Sequence, residues 1–428
     1  CKSFYDSNGD GIGDLPGVIA KLPMLKELGI NCIWFTPIFT SPQVDNGYDV
    51  ANYTAIDPSY GTMADFDALV AEAKARGIRI VLDMVLNHTS DEHPWFLEAK
   101  KSRDNPKHDW YVWRDGTPDC PPNEMRSNFG GSAWQYCPER GQYYLHSYAV
   151  EQPDLNWDNP KVRQGLYGFI RFWVDKGVEG FRLDVIDQIG KDADREITCN
   201  GPRLHEYLQE LSKEAFCEPW LVSVGEAWGA DTERAKLYSN PDGSELSMVF
   251  QFEHIVLDQV GWEKWDLAPL PMQELKRVIA KWQRELNGQG WNSLFWENHD
   301  LPRIVSRWGN DGEYREKSAM MLATILFGLQ GTPYIYQGQE LGMTNVKFQL
   351  EDYQDVEIRN MAKEKLAEGV PLETIMAGVH AKGRDNARTP MQWDNSTNLG
   401  FSSASADQLY LPTDPNPGNA TVEAQEAD

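Results

Sequence analysis

The sequence is short of basic residues. It carries 40 Lys and Arg against 65 Asp and Glu, which gives a formal net charge of −25. This balance argues against a nucleic-acid partner, because binding to phosphates requires a basic face. The chain also has no run of about 18 apolar residues, so we expect no membrane span. Both absences are compatible with a neutral, polar substrate.

Cysteine is scarce as well. None of the six cysteines has a neighbour at the spacing of a metal or redox motif. Cys120 and Cys137 are close enough in sequence to pair within one loop region, but we expect buried free thiols and a reducing compartment. No signal-peptide pattern is visible, although the chain does not begin with Met. We therefore predict a cytoplasmic location and a monomer.

Short apolar runs alternate with amphipathic stretches along most of the chain. The apolar runs predict buried strands at residues 31–38, 78–86, 178–184, 220–226, 248–252, 291–296 and 332–336. Helical periodicity predicts helices at residues 64–76, 161–176, 203–216, 272–286 and 314–329. Alternation of this kind favours a parallel sheet. We predict an α/β fold, a (β/α)₈ TIM barrel, with the first of its eight strands missing from this chain.

Two connections are longer than an ordinary barrel loop. Residues 87–160 are rich in Pro, Gly, Trp and Asn, and a segment of this length is usually functional or a small domain. We predict a subdomain there, inserted after the third strand of the full barrel, between barrel segments 1–86 and 161–412. A second insertion is predicted from about residue 338 to residue 382. Residues 413–428 predict an exposed tail.

Titratable side chains occur where the predicted strands end, which is the functional end of a TIM barrel. They are His88, Arg182, Asp184, Glu226, His299 and Asp300. Paired carboxylates are what glycosidic-bond cleavage requires, because one attacks the anomeric carbon and the other protonates the leaving oxygen. Arg182 lies on the same side of its strand as Asp184, so we expect it to keep Asp184 ionised. The surroundings of Glu226 are expected to keep that group protonated.

Five segments carry a resemblance to a known family. They are DMVLNH, QPDLN, GFRLDVI, VGEAW and FWENHD, at residues 83–88, 152–156, 180–186, 224–228 and 295–300. In this order they resemble the signature regions of the α-amylase superfamily, glycoside hydrolase family 13. Stretches such as NGYDVANY and GRDNARTPMQW are similar to the oligo-1,6-glucosidase group, and within it to the glucan 1,6-α-glucosidases (dextran glucosidases). The resemblance implies exo-hydrolysis of α-1,6-glucosidic bonds in isomalto-oligosaccharides, with retention of configuration.

The resemblance also implies roles for individual residues. Asp184 would be the nucleophile, Glu226 the acid/base and Asp300 the carboxylate that stabilises the transition state. The residues implied to bind the glucosyl unit or line its pocket are Asp45, Tyr48, His88, Phe129, Arg182, His299 and Arg384. Among them, Asp45 and Arg384 would hold the hydroxyls of the non-reducing end and make the enzyme exo-acting. Arg388 is the alternative to Arg384, and the subdomain core is the alternative position for Phe129.

Two residues bear on the linkage that is cleaved. Val185 follows the nucleophile, and in this group Val there accompanies a preference for α-1,6 linkages whereas Thr accompanies α-1,4. A methyl in place of a hydroxyl changes what the leaving sugar can hydrogen-bond, although selectivity from so small a change should be modest. Trp228 resembles the platform under the leaving sugar in the dextran glucosidases. Packing at the rim of the barrel is the alternative role for Trp228.

An acidic loop near the start of the chain presents oxygen ligands at alternate positions. Its spacing resembles the start of an EF-hand, but Gly17 stands where that motif requires Glu. The oligo-1,6-glucosidase group carries a calcium site on this loop. By that resemblance, structural Ca²⁺ would be bound by Asp6, Asn8, Asp10, the Ile12 carbonyl and Asp14. The alternative is a solvated acidic turn.

The sequence departs from the family in three respects. The first barrel strand, the last barrel helix and the C-terminal β-domain are not found in the chain, which is therefore expected to be a fragment. Glu297 stands where Asn is usual, and it either perturbs the pKa of a neighbouring group or pairs with an arginine in the core. Three other functions stay open: trehalose-6-phosphate hydrolysis, α-1,4-glucoside hydrolysis, and a catalytically silent barrel that serves as an interaction module.

Overall fold

The computed structural model describes residues 1–261 and 263–426. Its strands are β1 (Cys32–Phe35), β2 (Phe39–Thr40), β3 (Asn52–Ile56), β4 (Arg79–Val85), β5 (Trp113–Arg114), β6 (Trp134–Cys137), β7 (Gln142–Leu145), β8 (Gly180–Asp184), β9 (Val222–Glu226), β10 (Met248–Phe250), β11 (Gln259–Val260), β12 (Glu263–Leu267), β13 (Ser293–Leu294) and β14 (Thr332–Pro333). Seven of them coincide with the seven strands predicted for the barrel.

Helices lie between these strands. They are α1 (Leu15–Glu27), α2 (Met63–Ala75), α3 (Pro94–Ala99), α4 (Pro160–Asp175), α5 (Leu204–Ala215), α6 (Thr232–Tyr238), α7 (Met272–Glu285), α8 (Ile304–Trp308), α9 (Arg315–Gly328), α10 (Val356–Ala367), α11 (Leu372–Lys382), α12 (Asp385–Arg388) and α13 (Val422–Glu426). The five predicted helices are confirmed to within one or two residues at most ends. In the described part of the chain, no helix has the length and apolarity that crossing a bilayer requires.

The barrel strands are parallel and follow one another in sequence order. The largest sheet runs β1-β4-β8-β9-β10, and β13 pairs with β14 in a second parallel pair. A parallel bridge between Val249 and Asn292 joins the two. Consecutive parallel strands, each followed by a helix, are the arrangement of a (β/α)₈ barrel. The expectation that the first strand and the C-terminal β-domain lie outside this chain stays a prediction.

Burial on both faces of the sheet explains why the strands have continuous apolar runs. In β4 every residue after Arg79 is buried, which is the usual condition of a strand covered by helices on one side and barrel core on the other. Helix α4 shows the complementary pattern. Asn159 caps it, Pro160 occupies its first turn, and one buried stripe includes Leu166 and Trp173.

The predicted subdomain contains a sheet of its own. Within residues 87–160, β5, β7 and β6 form an antiparallel three-stranded sheet. Its aromatic side chains pack with those of α3: the ring centroids of Phe96 and Trp113 are 5.7 Å apart, and those of Phe96 and Tyr144 are 5.0 Å apart. An antiparallel bridge between His88 and Asp154 ties both ends of the segment to the barrel. The subdomain therefore stands directly over the carboxyl end of β4.

The second insertion carries two helices where one was predicted. Periodicity at residues 356–366 marks α10, and α11 follows it in the structure. The two helices share a separate apolar cluster that includes Tyr353, Ile358 and Val379, and Trp265 of the β11–β12 hairpin packs against it. The insertion therefore has its own core beside the barrel mouth.

The prediction of an exposed tail is wrong for part of residues 413–428. Asp414, Ala420, Thr421 and Val422 are buried. The backbone N–H of Val422 donates to the carbonyl of Gln392, so the segment packs along the chain that precedes it. Polar composition predicted exposure, but backbone pairing and the start of α13 bury these residues.

The prediction of free, buried cysteines is confirmed in part. Cys120 and Cys137 do not pair, and the six cysteines of the described residues are free. Cys137 is buried as expected, whereas Cys32, Cys120 and Cys217 are exposed. The prediction of buried thiols is therefore wrong for these three cysteines, because β1 and the loops that carry them expose these positions to solvent.

Candidate active site

The polar side chains at the strand ends converge as predicted. Strand pairing places Val85 opposite Asp184, and Phe250 opposite Glu226, so that β4, β8, β9 and β10 end at one level. Asp184 and Glu226 are both buried, with relative exposures of 7% and 3%. The parallel barrel thus brings two carboxylates from adjacent strands into one pocket.

Arg182 connects the carboxylates of this pocket. Its Nη1 lies 2.7 Å from Asp184 Oδ1 and 3.0 Å from both carboxyl oxygens of Asp83. Its Nη2 lies 2.6 Å from Glu226 Oε2. The guanidinium is 1% exposed, so these charge-assisted contacts are shielded from water. One arginine therefore holds Asp184 and Glu226 side by side.

One guanidinium cannot balance three carboxylates. Burial raises the pKa of Asp184, and Glu226 and Asp83 add to this effect while Arg182 opposes it. Burial likewise raises the pKa of Asp83, with Arg182 again opposing. Arg182 therefore opposes the effect of burial on Asp184, as expected, but shares its charge among three carboxylates. That Arg182 keeps Asp184 ionised stays a prediction.

Glu226 is held by three donors. Besides Arg182, the backbone N–H of Val185 donates to Oε2 at 3.0 Å and the Trp228 indole N–H donates to Oε1 at 3.1 Å. These contacts fix the positions of both carboxyl oxygens, and they can stabilise the carboxylate that forms once Glu226 has given up its proton. The expected protonation of Glu226 before the reaction stays a prediction.

Val185 adopts a backbone conformation that is unusual for a β-branched residue. Its φ is 37° and its ψ is 45°, in the left-handed region, at a cost of about 1–2 kcal/mol. This turn directs the N–H of Val185 at Glu226. Trp228 lies on the other side of the same carboxylate, stacked on Phe252 with centroids 3.8 Å apart and planes 10° apart. Strain at such a position usually accompanies function.

Asp300 lies in a different electrostatic environment. His299 Nε2 is 3.0 Å from its Oδ2, and Arg388 Nη2 and Arg384 Nη1 are 2.8 and 3.2 Å from its Oδ1. Burial alone would raise the pKa of Asp300, but His299 and the two arginines hold it well below its ordinary value. Asp300 is therefore ionised throughout the neutral range.

The aromatic and histidine residues predicted to surround a sugar lie at this pocket. The Tyr48 ring stacks on His299, with centroids 5.3 Å apart and planes 6° apart, and its hydroxyl donates to Asp83. His88 Nε2 lies 3.2 Å from the Gln152 amide nitrogen. Burial lowers the pKa of His88 to about 4, so His88 is a neutral hydrogen-bonding group at physiological pH.

One end of the pocket is closed by Arg384. Its Nη2 lies 3.1 Å from Asp45 Oδ1, and its guanidinium lies 4.8 Å from the centroid of the Phe129 ring. Arg384 therefore bridges Asp45 and Asp300, whereas Arg388 contacts Asp300 without an ion pair to Asp45 within the described residues. This placement matches the choice of Arg384 over Arg388, and Phe129 lines the pocket rather than the core of the subdomain sheet.

Three residues near the pocket were not predicted from the sequence. Gln152 donates to Asp45 at 3.2 Å and lies beside His88, and Tyr148 packs on Phe129 with centroids 5.3 Å apart. Asp355 binds Arg384. Gln152 could have been found from its place in the QPDLN segment. Asp355 has only the local signal of an aspartate that precedes a helix.

Glu297 lies behind the pocket. Its Oε1 is 3.0 Å from Arg303 Nη1, and its Oε2 accepts the N–H of Ile304 at 2.5 Å. Both side chains of the ion pair are almost fully buried, with exposures of 1% and 0%. Of the two possibilities for Glu297, the structure shows the buried pair with an arginine.

The acidic loop at residues 6–14 is separate from this pocket. Asp6 accepts the N–H groups of Asn8, Gly9 and Gly11 and the hydroxyl of Ser402. Asp14 accepts the N–H of Gly17 and so caps α1. Among the described residues, no three acidic, histidine or cysteine side chains are placed to hold a metal. In this conformation the loop carboxylates accept N–H and O–H groups of the protein, and the calcium site that includes Asn8 and the Ile12 carbonyl stays a prediction.

The chain is similar to known proteins in both sequence and structure. The Alpha-amylase family model, described as the alpha amylase catalytic domain, matches residues 1–428. The chain is 56% identical to a glucan 1,6-alpha-glucosidase of Streptococcus pneumoniae serotype 4, over 97% of the chain and 77% of that protein. It is 51% identical to an oligo-1,6-glucosidase of Parageobacillus thermoglucosidasius, over 99% of the chain and 78% of that protein.

Related phosphosugar and sucrose-converting enzymes are similar as well. A trehalose-6-phosphate hydrolase of Escherichia coli is 51% identical over 100% of the chain and 79% of its own length. The crystal structure of a trehalose-6-phosphate hydrolase of Bacillus licheniformis superposes with a TM-score of 0.93 at 48% identity, covering 100% of this chain and 79% of that one. A trehalulose synthase of Pseudomonas mesoacidophila gives a TM-score of 0.95 at 42% identity, with the same coverage.

Proposed function

Because the chain belongs to the alpha-amylase family of glycoside hydrolases, we propose that it hydrolyses α-1,6-glucosidic bonds from the non-reducing end of isomalto-oligosaccharides, with retention of configuration. The observation that carries this proposal is the pair Asp184 and Glu226, bridged by the two terminal nitrogens of Arg182. A retaining enzyme needs its two carboxyls about 5–5.5 Å apart. That separation stays a prediction for this pocket, and the shared guanidinium supports it.

The first chemical step would form a covalent intermediate. Asp184 attacks the anomeric carbon while the bond to the leaving oxygen breaks, and Glu226 gives its proton to that oxygen. The N–H groups of Val185 and Trp228 then stabilise the Glu226 carboxylate. Asp300, held ionised beside Arg384 and Arg388, would offset the positive charge that develops on the glucosyl ring.

The second step would reverse these roles. The Glu226 carboxylate takes a proton from water, and the resulting oxygen attacks the anomeric carbon and releases Asp184. The products are free glucose and a shortened oligosaccharide. Glu226 regains its proton in this step, so the site returns to its starting state without any external reagent.

The closed end of the pocket supports exo action. Arg384 and Asp45 form an ion pair across that end, and Phe129 packs against the guanidinium. A terminal glucosyl unit offers free hydroxyls at this end, which a guanidinium and a carboxylate can bind. An internal unit would have to continue through the pair, so chain ends are favoured.

The α-1,6 preference rests on Val185, Trp228 and the relatives. Val185 presents an apolar side chain beside Glu226, and Trp228 presents a half-exposed ring stacked on Phe252. An apolar ring face of this kind suits a leaving sugar that is linked through its flexible C6. Two of the compared relatives bear 1,6-glucosidase names.

Trehalose-6-phosphate hydrolysis is the second candidate, favoured by the similarity to the Escherichia coli enzyme. A phosphate requires unpaired positive charge at the leaving-group side. The site arginines Arg182, Arg384 and Arg388 are each already paired with carboxylates. None of these three offers a free charge to a phosphate, so recognition of trehalose-6-phosphate would need other groups on the leaving-group side.

The test is glucose release from isomaltotriose, maltotriose and trehalose-6-phosphate. Asp184→Ala serves as the blank, and Asp67→Asn, which changes an exposed aspartate of α2 far from the pocket, serves as the control. We expect fast release from isomaltotriose and an unchanged rate for the control. Release from trehalose-6-phosphate alone would keep the mechanism and replace the substrate, and equal rates for the blank would remove Asp184 from the mechanism.

Calcium, the monomeric state and the cytoplasmic location stay predictions. For calcium, Asp10 would ligate through Oδ2, since its Oδ1 accepts the N–H of Ile12. If the loop binds structural Ca²⁺, chelation should lower the melting temperature of the protein, and added Ca²⁺ should restore it. An unchanged melting temperature would leave the solvated turn as the correct interpretation.

A further inference from the structure

Arg384 joins two parts of the chain that are far apart in sequence. On the pocket side it contacts Asp45 and Asp300, at 3.1 and 3.2 Å. On the opposite side it is held by Asp355, with Nη2 2.6 Å from Oδ1 and Nε 3.0 Å from Oδ2. This two-point contact fixes both the position and the plane of the guanidinium.

Asp355 is fully buried at the base of the second insertion. Its side chain is 0% exposed. Burial alone would raise its pKa, but Arg384 and Arg388 hold that pKa at about 2. The same carboxylate caps α10, because Oδ1 accepts the N–H of Glu357 at 3.0 Å. Asp355 thus couples the start of an insertion helix to an arginine at the pocket.

The coupling is reciprocal. Asp385, the neighbour of Arg384, accepts the backbone N–H groups of Gln354 and Asp355 at 2.7 and 3.0 Å. Two contacts therefore connect residues 384–385 to residues 354–355: the Arg384 guanidinium binds the Asp355 carboxylate, and the Asp385 carboxylate binds backbone N–H groups. The insertion cannot move away from the pocket without breaking buried, charged contacts.

An arginine that is fixed before substrate arrives binds better than a free one. A free side chain of this length loses much rotamer freedom on binding. Asp355 removes that loss in advance, because it holds Arg384 in the plane that faces Asp45. Without it, Arg384 would keep Glu357 at 3.3 Å as its contact on the insertion, and would lose the two-point contact that fixes the plane of the guanidinium.

We propose that Asp355 is a positioning residue that clamps Arg384 across the closed end of the pocket, so that the insertion carrying α10 and α11 determines exo specificity. The proposal rests on the proposed function only in assigning Arg384 to the non-reducing end of the substrate. It does not depend on the linkage that is cleaved.

The test variant is Asp355→Asn. Asparagine is as good a helix cap as aspartate, so α10 keeps its cap while the contact with Arg384 loses its charge. Because Arg384 binds the substrate equally before and during the reaction, we expect KM for isomaltotriose to rise about tenfold and kcat to stay within about twofold. We also expect slow cleavage of an aryl isomaltotrioside whose non-reducing end is blocked by a 4,6-ethylidene bridge, which the unmodified protein should not cleave.

Glu368→Gln is the matched control. It removes a negative charge from the same insertion, but among the described residues Glu368 forms an ion pair with Lys365 alone, on the surface. KM should not change in this variant, and the blocked substrate should stay intact. A melting temperature lowered in Asp355→Asn with KM unchanged and the blocked substrate intact would show a purely structural role and overturn the proposal.

A second comparison covers the case in which Asp355→Asn does not fold. The double variant removes the buried Asp355 charge together with the guanidinium that it contacts most closely, so Arg384→Gln is compared with the double variant that also carries Asp355→Asn. Equal KM values would show that Asp355 acts through Arg384, and a further rise in the double variant would contradict this. If the unmodified protein prefers maltotriose or trehalose-6-phosphate, the same comparison on that substrate tests the clamp independently of the proposed linkage.

Discussion

Replacing Trp228 with Phe separates two roles that the structure assigns to one side chain. The phenyl ring can keep the stacking on Phe252, where the indole now lies 3.8 Å away. It cannot keep the hydrogen bond from the indole N–H to Glu226, which is 3.1 Å long. The variant therefore removes a donor from the general acid while retaining an aromatic platform.

The size of the effect follows from the bond and its exposure. A hydrogen bond to a charged group contributes about 1.5–3 kcal/mol. Trp228 is 38% exposed, so water can replace part of that bond, and Arg182 and Val185 still hold the carboxylate. We expect a loss of about 1.4 kcal/mol, which is a tenfold fall in kcat/KM for isomaltotriose.

The leaving group distinguishes the hydrogen bond from the platform. An aryl glucoside with a very acidic phenol needs little protonation, so Trp228→Phe should barely change its hydrolysis, whereas isomaltotriose needs the full proton transfer. Trp228→Ala, which also removes the ring, should lower kcat/KM further for isomaltotriose and raise its KM. Equal losses on the activated glucoside and on isomaltotriose would refute a role for the indole N–H in acid catalysis.

Three other predictions follow from the same contacts. Val185→Thr should lower the ratio of kcat/KM for isomaltotriose over maltotriose by about tenfold or more, with an activated aryl glucoside as the control, because the backbone bond to Glu226 remains. Glu297→Ala should destabilise the protein by about 3–5 kcal/mol in denaturant unfolding, because it leaves the buried Arg303 without its partner, and Glu297→Gln should cost less. Burial lowers the pKa of His254 to about 4, so the unfolded chain binds more protons than the folded one between about pH 4 and 6.5, and stability should fall as pH falls through that window. A His254→Gln variant should therefore show a smaller drop in melting temperature from pH 7 to pH 5. An identical drop would contradict a buried neutral histidine.

The barrel could be predicted from the sequence because its signals are local. The strands are short apolar runs, of which β4 is buried on both faces, and the helices repeat their apolar residues every three or four positions. The strand-end residues Asp184, Glu226 and Asp300 follow from that register together with the family motifs. Parallel strands of a barrel end at one rim, so side chains that close those strands must meet.

The clamp, the second insertion helix and the buried tail could not be predicted in this way. Asp355 meets Arg384 across 29 residues, and Asp45 meets it across 339. Neither distance leaves a periodic trace in the sequence. Polar composition suggested exposure for residues 413–428, but composition does not record that the N–H of Val422 finds a backbone acceptor at Gln392. These features depend on contacts between residues that are far apart in sequence, and such contacts exist only in the folded chain.

The distribution of positive charge around the three carboxylates explains why residues of the same chemical type can have different roles. Asp300 contacts His299 and two arginines, which also pair with other carboxylates, and together these groups hold its pKa well below the ordinary value. Asp184 and Glu226 share the single guanidinium of Arg182 with Asp83, and burial and the neighbouring carboxylates raise the pKa of Asp184. Three carboxylates of similar chemistry therefore lie in two different electrostatic environments, which the placement of the arginines creates. Arg384 contributes to the environment of Asp300, and Asp355 fixes the position of Arg384 from behind the pocket.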